Sequence, residues 1–233
     1  MNQISLLRPT LKPHLGWHGA RLSFLALFLI ALLRVKTVNL TELATGFRSK
    51  ARIDSSHKRL QRFFPSFDLD YTAIARAVIG IMELPQPWVL SVDRTEWSFG
   101  TTRFNILMLG VIHHGVAYPV VWKMLDKKAE ATPRIFNALG NAPQAGNSHG
   151  DERMALLDQF YNVFPEADVA YLAGEREFVG KHWLTYLLIE PTIPFRLRIR
   201  KSDRLKNFAR NLGCLRQNWD YFELIEQLFR VRS

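Results

Sequence analysis

The spacing of hydrophobic and polar positions changes near residue 88, from helical repeats before it to strand-like runs after it. In the first part, the apolar run 22–33 (LSFLALFLIALL) and the amphipathic stretch 71–82 each predict a helix. The run 22–33 is shorter than the roughly 20 residues of a membrane-spanning helix, and no small-residue cleavage pattern follows it. The sequence therefore favours a buried helix there, with a signal-peptide core as the alternative.

Between those two stretches, the sequence predicts a short helix, a glycine-containing turn and a basic second helix. Asn39 or Thr41 caps the short helix, and Ser55 or Ser56 opens the second one over residues 57–64. Six basic residues lie just before or along the second helix: Arg48, Lys50, Arg52, Lys58, Arg59 and Arg62. This arrangement is typical of a helix-turn-helix reader, so these six are the candidate DNA-binding residues. The alternative is a small helical bundle with a solvated basic face.

The part after residue 88 predicts three strands, a helix, a strand, a helix and a strand. The strands are 88–93, 104–112, 117–125, 168–174 and 195–199, and the helices are 152–164 and 178–189. This order predicts an α/β fold, a ribonuclease-H-like mixed sheet core preceded by a small all-α DNA-binding region. The expected domains are the helical region 1–84, the core 88–206 and a carboxyl-terminal tail 207–233.

Charge is distributed unevenly along the chain. The net charge is +10, of which residues 1–62 carry +9, residues 63–190 carry −5 and residues 191–233 carry +6. An acidic centre between basic flanks suits a site that holds cations beside a nucleic-acid backbone. The single cysteine, Cys214, excludes an internal disulfide framework and a cysteine-based zinc site, which fits a reducing cytoplasm.

Two carboxylates are the candidate catalytic residues. Asp93 ends an apolar strand, and Glu175 follows the fourth strand, which this topology places beside the first. Two converging carboxylates repel each other unless a cation lies between them, so the pair predicts a Mg²⁺ site, with Mn²⁺ as a substitute. Arg176 either braces a carboxylate or a phosphate, or pairs with Glu177 at the surface. The alternative for Asp93 is a strand-terminal aspartate in a turn.

Several long stretches resemble one known family. They are SVDRTEW (91–97), ILMLGVIHHGVAYPVVWKMLDKK (106–128), ERMALLDQFYNVFP (152–165), YLAGEREFVGKHWL (171–184) and, in the helical region, FRSKARIDSSHKRLQRFF (47–64). These stretches strongly resemble bacterial insertion-sequence transposases of the DDE type, the insertion-sequence-four group. The resemblance implies metal-dependent cleavage at transposon ends, followed by attack of the freed 3′ hydroxyl on target DNA. It implies Asp93 as the first family carboxylate and Glu175 in the place of the second.

The same resemblance implies partners and a location. The partner is double-stranded DNA, both transposon ends and target, and the chain is expected to form a homodimer on that DNA. No membrane association is expected. The implied location is the bacterial cytoplasm, in association with the nucleoid.

Three departures from the family bear on activity. The family has Asp where this chain has Glu175, and the added methylene predicts impairment because Mg²⁺ is exacting about geometry. Residues 129–145 interrupt the family's run as an atypical, inserted or rearranged loop. The family's last catalytic Glu has no counterpart in the tail 207–233, where Glu223 or Glu226 is a weak substitute and a solvated acidic helix face is the more ordinary interpretation. A carboxyl-terminal truncation or frameshift is the expectation that explains this tail best.

Three functions follow from the sequence. The first is an insertion-sequence transposase, which cuts and joins DNA at specific ends. The second is a catalytically inactive DNA-binding remnant, which occupies those ends and inhibits transposition. The third is a ribonuclease-H-like nuclease, which cuts DNA without regard to the ends.

Overall fold

The structure is a computed structural model that describes residues 3–47, 51–65, 70–99, 101–125, 148–189 and 191–198. The chain divides into two compact units, Met1–Glu83 and Leu84–Ser233. Helices build the described part of the first unit, and a sheet with helices builds that of the second. The class is therefore mixed α/β, as the sequence predicts.

The described residues of the first unit form five helices. They are α1 (Gln3–Leu11), α2 (Gly19–Val35), α3 (Leu40–Gly46), α4 (Ile53–Phe63) and α5 (Tyr71–Met82). The helices predicted over 22–33 and 71–82 are confirmed, the first as the middle of a longer helix. None of the described helices is by itself long and apolar enough to cross a membrane; α2 and α3 pass that test only as a pair bent by 101°.

Short polar side chains define where two of these helices begin. Asn39 caps α3, because its Oδ1 accepts a hydrogen bond from the backbone N–H of Thr41 at 3.0 Å. Asp70 caps α5 in the same way, with its Oδ1 3.1 Å from the backbone nitrogen of Ala73. Each cap satisfies one of the backbone donors that the first helical turn leaves without a partner. Of the two predicted caps of α3, Asn39 is the one that the structure uses.

The predicted start of α4 is wrong. The helix begins at Ile53, with Arg52 at the cap position, so neither Ser55 nor Ser56 opens it. Asp54 lies in the first turn, where the positive end of the helix dipole favours a carboxylate and supports the earlier start. Ser56 is instead buried on the inner side of the helix.

Helices α2, α3 and α4 share one apolar core. Phe24, Leu43 and Leu60, one from each helix, are buried in it. A Cβ added at Gly46 would lie 3.1 Å from the side chains of Ala31 and Val35. The absence of a side chain at Gly46 thus allows α3 to approach α2 closely at its last turn.

The described part of the second unit contains five strands and two longer helices. They are β1 (Trp88–Phe99), β2 (Thr102–His113), β3 (Val116–Leu125), α6 (Gly150–Val163), β4 (Val169–Gly174), α7 (Lys181–Ile189) and β5 (Phe195–Leu197). The predicted order of elements is confirmed. The helix predicted from residue 178 begins at Lys181, because a three-residue 3-10 turn (Arg176–Phe178) precedes it. The predicted loop 129–145 and tail 207–233 lie outside the described residues.

The sheet has the strand order β3-β2-β1-β4-β5. β1 pairs with β2 in antiparallel fashion and with β4 in parallel fashion, and β4 is parallel to β5. Both connections that lead to β4 and β5 run across the sheet in the same direction. Right-handed crossovers then place α6 and α7 on the same face, and α6 packs against β2 and β3. Because β1 lies between β2 and β4, hydrogen bonds hold it on both sides.

β1 is longer than the sequence predicts. Asp93 does not end the strand, because pairing with β2 continues to Phe99. Pairing with β4, in contrast, stops at Val92 opposite Gly174. Asp93 is therefore the first residue of β1 beyond the parallel ladder, and the interpretation of Asp93 as a turn aspartate is wrong.

Candidate functional site

The two predicted carboxylates follow the last paired residues of two neighbouring parallel strands. Val92 on β1 is paired with Gly174 on β4, and the next residues along the chain are Asp93 and Glu175. Glu175 keeps an extended backbone, with φ −76° and ψ 176°. Successive side chains of an extended chain alternate between faces, so both carboxylates are on the face opposite that of buried Val92. The structure thus places Asp93 and Glu175 side by side, and both are exposed.

Each carboxylate has one described hydrogen-bond donor. Oδ1 of Asp93 accepts from the backbone N–H of Arg94 at 2.8 Å. Both oxygens of Glu175 lie 3.4 to 3.5 Å from Nη1 of Arg198, just beyond β5. Both side chains of this ion pair are about 60% exposed (60% and 64%), so water screens their attraction. The ion pair of Arg198 with Glu175 is therefore weak, and a cation bound at Glu175 or a phosphate bound at Arg198 can break it.

Gly174 makes the close approach of β1, β4 and β5 possible at this point. A Cβ added there would lie 2.8 Å from Cδ2 of Leu197 and 3.0 Å from Cγ1 of Val92. It would also lie 3.3 Å from Cδ2 of Phe178. The residue before Glu175 is therefore packed on the covered face by side chains of both neighbouring strands.

On the covered face, an ion pair joins the same two chain segments. Nε of Arg94 lies 3.1 Å from Oε2 of Glu177, and Nη1 of Arg94 donates to Oδ1 of Asn105 at 3.3 Å. The predicted surface pair between Arg176 and Glu177 is not what the structure shows, because Glu177 turns toward β1. Arg176 is exposed at this point of the chain.

Arg153 of α6 also contacts the chain segment that carries Glu177. Its side chain is buried, with 5% exposed, and its Nη2 donates to the backbone carbonyl of Glu177 at 2.8 Å. It also donates to both oxygens of Ser148, and its guanidinium lies 5.1 Å from the centre of the Phe178 ring. Burial lowers the pKa of Arg153, while the nearby Glu177 and Glu152 oppose that shift. An arginine stays charged under these conditions and so provides a fixed set of donors.

Sequence reasoning found the two carboxylates but missed Arg94, Arg153 and Arg198 as their surroundings. Charged residues are normally exposed, so nothing in the local pattern marks Arg153 as buried. The alternation of arginines in FRLRIR (195–200) is the signal in the sequence that marks Arg198. Contacts such as Arg94 to Glu177 join residues 83 positions apart, and a single sequence does not reveal them.

The donor types of the site fit a hard divalent cation. Mg²⁺ prefers carboxylate oxygens and usually binds through one or two of them, with water and substrate phosphate completing its shell. Asp93 on β1 and Glu175 just after β4 offer two such carboxylates. Among the described residues, no group of three or more His, Cys, Asp or Glu side chains gathers to hold a metal. The possible contributors Glu223 and Glu226 lie outside the described residues.

The predicted DNA-binding residues of the first unit lie on and before α4. Arg52, Lys58, Arg59 and Arg62 are all exposed there. The spacing of Lys58, Arg59 and Arg62 along the helix keeps the three on one side of it, and the guanidinium of Arg59 lies 5.0 Å from the ring centre of Phe24. Arg48 and Lys50 lie outside the described residues. This part of the helical unit therefore presents a basic surface.

Comparison with known proteins adds no identification. No protein-family model, no curated protein and no solved structure matches this chain.

Proposed function

We propose that this chain is a DNA transposase of an insertion sequence, with a ribonuclease-H-like catalytic unit. The observation that carries the proposal is the pair Asp93 and Glu175, which follow the last paired residues of two neighbouring parallel strands. The strand order β3-β2-β1-β4-β5 and the basic surface of α4 support it. The resemblance of the long stretches around both carboxylates points to the same class of enzyme.

In this proposal Asp93 and Glu175 hold Mg²⁺, with Mn²⁺ as a substitute. The cation would supply activation of the attacking oxygen and stabilisation of the leaving oxygen at a DNA phosphodiester. The task of the protein is to keep the two carboxylates close and correctly aimed. Val92 and Gly174, the last pair of the parallel ladder, bring the two strands together just before the carboxylates. Arg198 can contact a DNA phosphate once Glu175 binds the cation.

The first unit supplies affinity for DNA in this proposal. Lys58, Arg59 and Arg62 on one side of α4 neutralise phosphates, and release of counterions then favours binding. A helix that contacts the backbone in this way also brings neighbouring polar side chains to the base edges. The expected substrate is double-stranded DNA at transposon ends, bound by two copies of the chain.

The test uses supercoiled plasmid that carries the DNA flanking this gene, with Mg²⁺ or Mn²⁺ added. We expect end-specific nicking, and Asp93→Asn should lower its rate more than about 100-fold, because even outer-shell partners of a metal change activity about 10- to 100-fold. Glu96→Gln is the matched control, since Glu96 lies on the same strand and pairs with Arg103 at the surface. Equal rates for Asp93→Asn and Glu96→Gln would remove Asp93 from the mechanism.

A second candidate function is a DNA-binding remnant without catalysis. Glu175 in the place of the Asp of the resembled family favours it, because the added methylene moves the carboxylate and Mg²⁺ is exacting about ligand geometry. This protein would shift the mobility of transposon-end DNA and never nick it. Nicking that ignores the ends would instead indicate the third candidate, a ribonuclease-H-like nuclease.

A further inference from the structure

The parallel ladder between β1 and β4 ends one residue before each carboxylate. Val92 and Gly174 are the last pair, and β1 then pairs, among the described residues, with β2 alone. The chain after β4 turns into the 3-10 turn 176–178. The main-chain ladder therefore does not set the distance between Asp93 and Glu175 at the residues themselves.

A side-chain ion pair joins the two segments beyond that point. Nε of Arg94 lies 3.1 Å from Oε2 of Glu177, and the two side chains are 20% and 19% exposed. The pair between Arg103 and Glu96 on the same hairpin is different, at 3.6 Å with 78% and 49% exposed. Shielding from water strengthens the attraction in the first pair relative to the second.

Both ends of the shielded pair are held in place by further contacts. Asn105 on β2 accepts a hydrogen bond from Nη1 of Arg94 at 3.3 Å. The backbone carbonyl of Glu177 accepts from Arg153 at 2.8 Å, and Arg153 is anchored in turn on Ser148. The link thus connects rigid elements on both sides of the ladder's end.

We propose that the ion pair of Arg94 with Glu177 is a positioning clamp that sets the separation of Asp93 and Glu175. Arg94 is next to Asp93 in sequence, and Glu177 is two residues after Glu175. The clamp lies on the covered face of the sheet, so it acts through the backbone and does not touch the reacting groups. The importance of the clamp for catalysis rests on the proposed function, because Mg²⁺ tolerates little error in ligand geometry. The effect of the clamp on the distance between the two residues is independent of that function.

The first experiment measures the geometry without any activity. Asp93→Cys and Glu175→Cys are combined with Cys214→Ser, and the reduction potential of the resulting disulfide is determined against glutathione. Neighbouring strands are about 4.8 Å apart, within the range that a disulfide spans. Arg94→Met should lower the effective concentration of the two thiols about tenfold, which is about 30 mV for this two-electron couple.

The matched control is Arg103→Met, which removes an arginine from the exposed pair on the same hairpin and should leave the potential unchanged. Arg94→Lys keeps the charge, so its disulfide potential should lie between those of the wild type and Arg94→Met. Glu177→Gln is the second route to the same result if Arg94→Met does not fold. Equal potentials for the Arg94→Met and Arg103→Met proteins, or for Glu177→Gln and Arg103→Met in that case, would overturn the clamp.

The second experiment uses the nicking assay with the wild-type cysteine and carboxylates in place. Arg94→Met should slow nicking about tenfold, in the range of outer-shell effects, and Arg94→Lys should recover part of the rate. If the wild-type chain nicks DNA but Arg94→Met leaves the disulfide potential unchanged, the clamp is refuted and the proposed function is not. If the potential moves and the wild-type chain never nicks DNA, the clamp stands as a geometric device and the proposed function fails.

Discussion

Gly174→Ala adds a single methyl group at a point where β1, β4 and β5 pack closely. The new Cβ would lie 2.8 Å from Cδ2 of Leu197 and 3.0 Å from Cγ1 of Val92. Carbon atoms in ordinary contact are about 3.5 to 4.0 Å apart, so Leu197 must move by about half an ångström or more and Val92 by a few tenths. Val92 is buried on a central strand and cannot move without displacing its pairing partners.

The cost follows from how little the surroundings can yield. Extra methyl groups in a packed core usually cost about 1 to 3 kcal/mol. Leu197 has a flexible end and absorbs part of the strain, whereas Val92 is stiff at χ1, so we expect about 2 kcal/mol. For a domain of this size, that loss corresponds to a drop in Tm of about 4 to 8 °C. Displacement of the chain at residue 174 by the new methyl group also moves the next residue, Glu175, at the start of the turn.

The assay is reversible thermal or denaturant unfolding of the full chain. Gly180→Ala is the matched control, because a Cβ at Gly180 meets no atom within 4 Å. That control should be neutral or slightly stabilising, since alanine reduces the freedom of the unfolded chain. Leu197→Val removes the nearest methyl group, so it should partly offset Gly174→Ala in the double variant. A Gly174→Ala protein as stable as Gly180→Ala would refute the proposed close packing of β1, β4 and β5.

Two further predictions concern the site carboxylate and pH. Glu175→Asp withdraws the carboxylate by about one bond length toward the geometry of the resembled family, so the nicking rate should rise about tenfold, within the range of effects on metal geometry; an unchanged or lower rate would show that Glu175 suits this site. Burial raises the pKa of Tyr161, so the folded protein holds that proton more tightly than the unfolded chain. The resulting contribution to stability is fully present below pH about 10 and is lost as pH rises through the folded pKa. The free energy of unfolding should therefore fall less between pH 9 and pH 11 in Tyr161→Phe than in the wild type; equal slopes would contradict the assignment.

The sequence predicts elements best where local chemistry and burial agree. Helix α5 has its predicted bounds because Asp70 caps its start and an apolar stripe continues to its end. The turn between β2 and β3 also has a local cause. His114 and Gly115 both have positive φ angles, 48° and 76°, as a tight two-residue hairpin requires, and glycine at the second position adopts such angles at no steric cost.

Prediction was weaker where distant residues decide the outcome. The second half of β1, Asp93 to Phe99, is polar and alternating, so the apolar run alone suggested an end at Asp93. Its pairing with β2 extends the strand by six residues, from Arg94 to Phe99. The site shows the same limit. Neither the shielded pair of Arg94 with Glu177 nor the burial of Arg153 follows from local spacing, because Arg94 and Glu177 are 83 positions apart and Glu177 is also 24 positions from Arg153.

The alternation of side chains along β1 assigns chemistry and support to opposite faces of the sheet. Asp93 and Glu175 are exposed on one face, whereas Val92 and Arg94 are on the opposite face, which the helices cover. Substitutions of the two exposed carboxylates should therefore change the reaction with little effect on stability. Substitutions on the covered face should change the distance between the carboxylates and, at Val92 or Gly174, the stability as well. A loss of nicking from Asp93→Asn at unchanged Tm, together with a loss from Arg94→Met that Arg94→Lys relieves, would match this division; the opposite pattern would place the chemistry elsewhere in the chain.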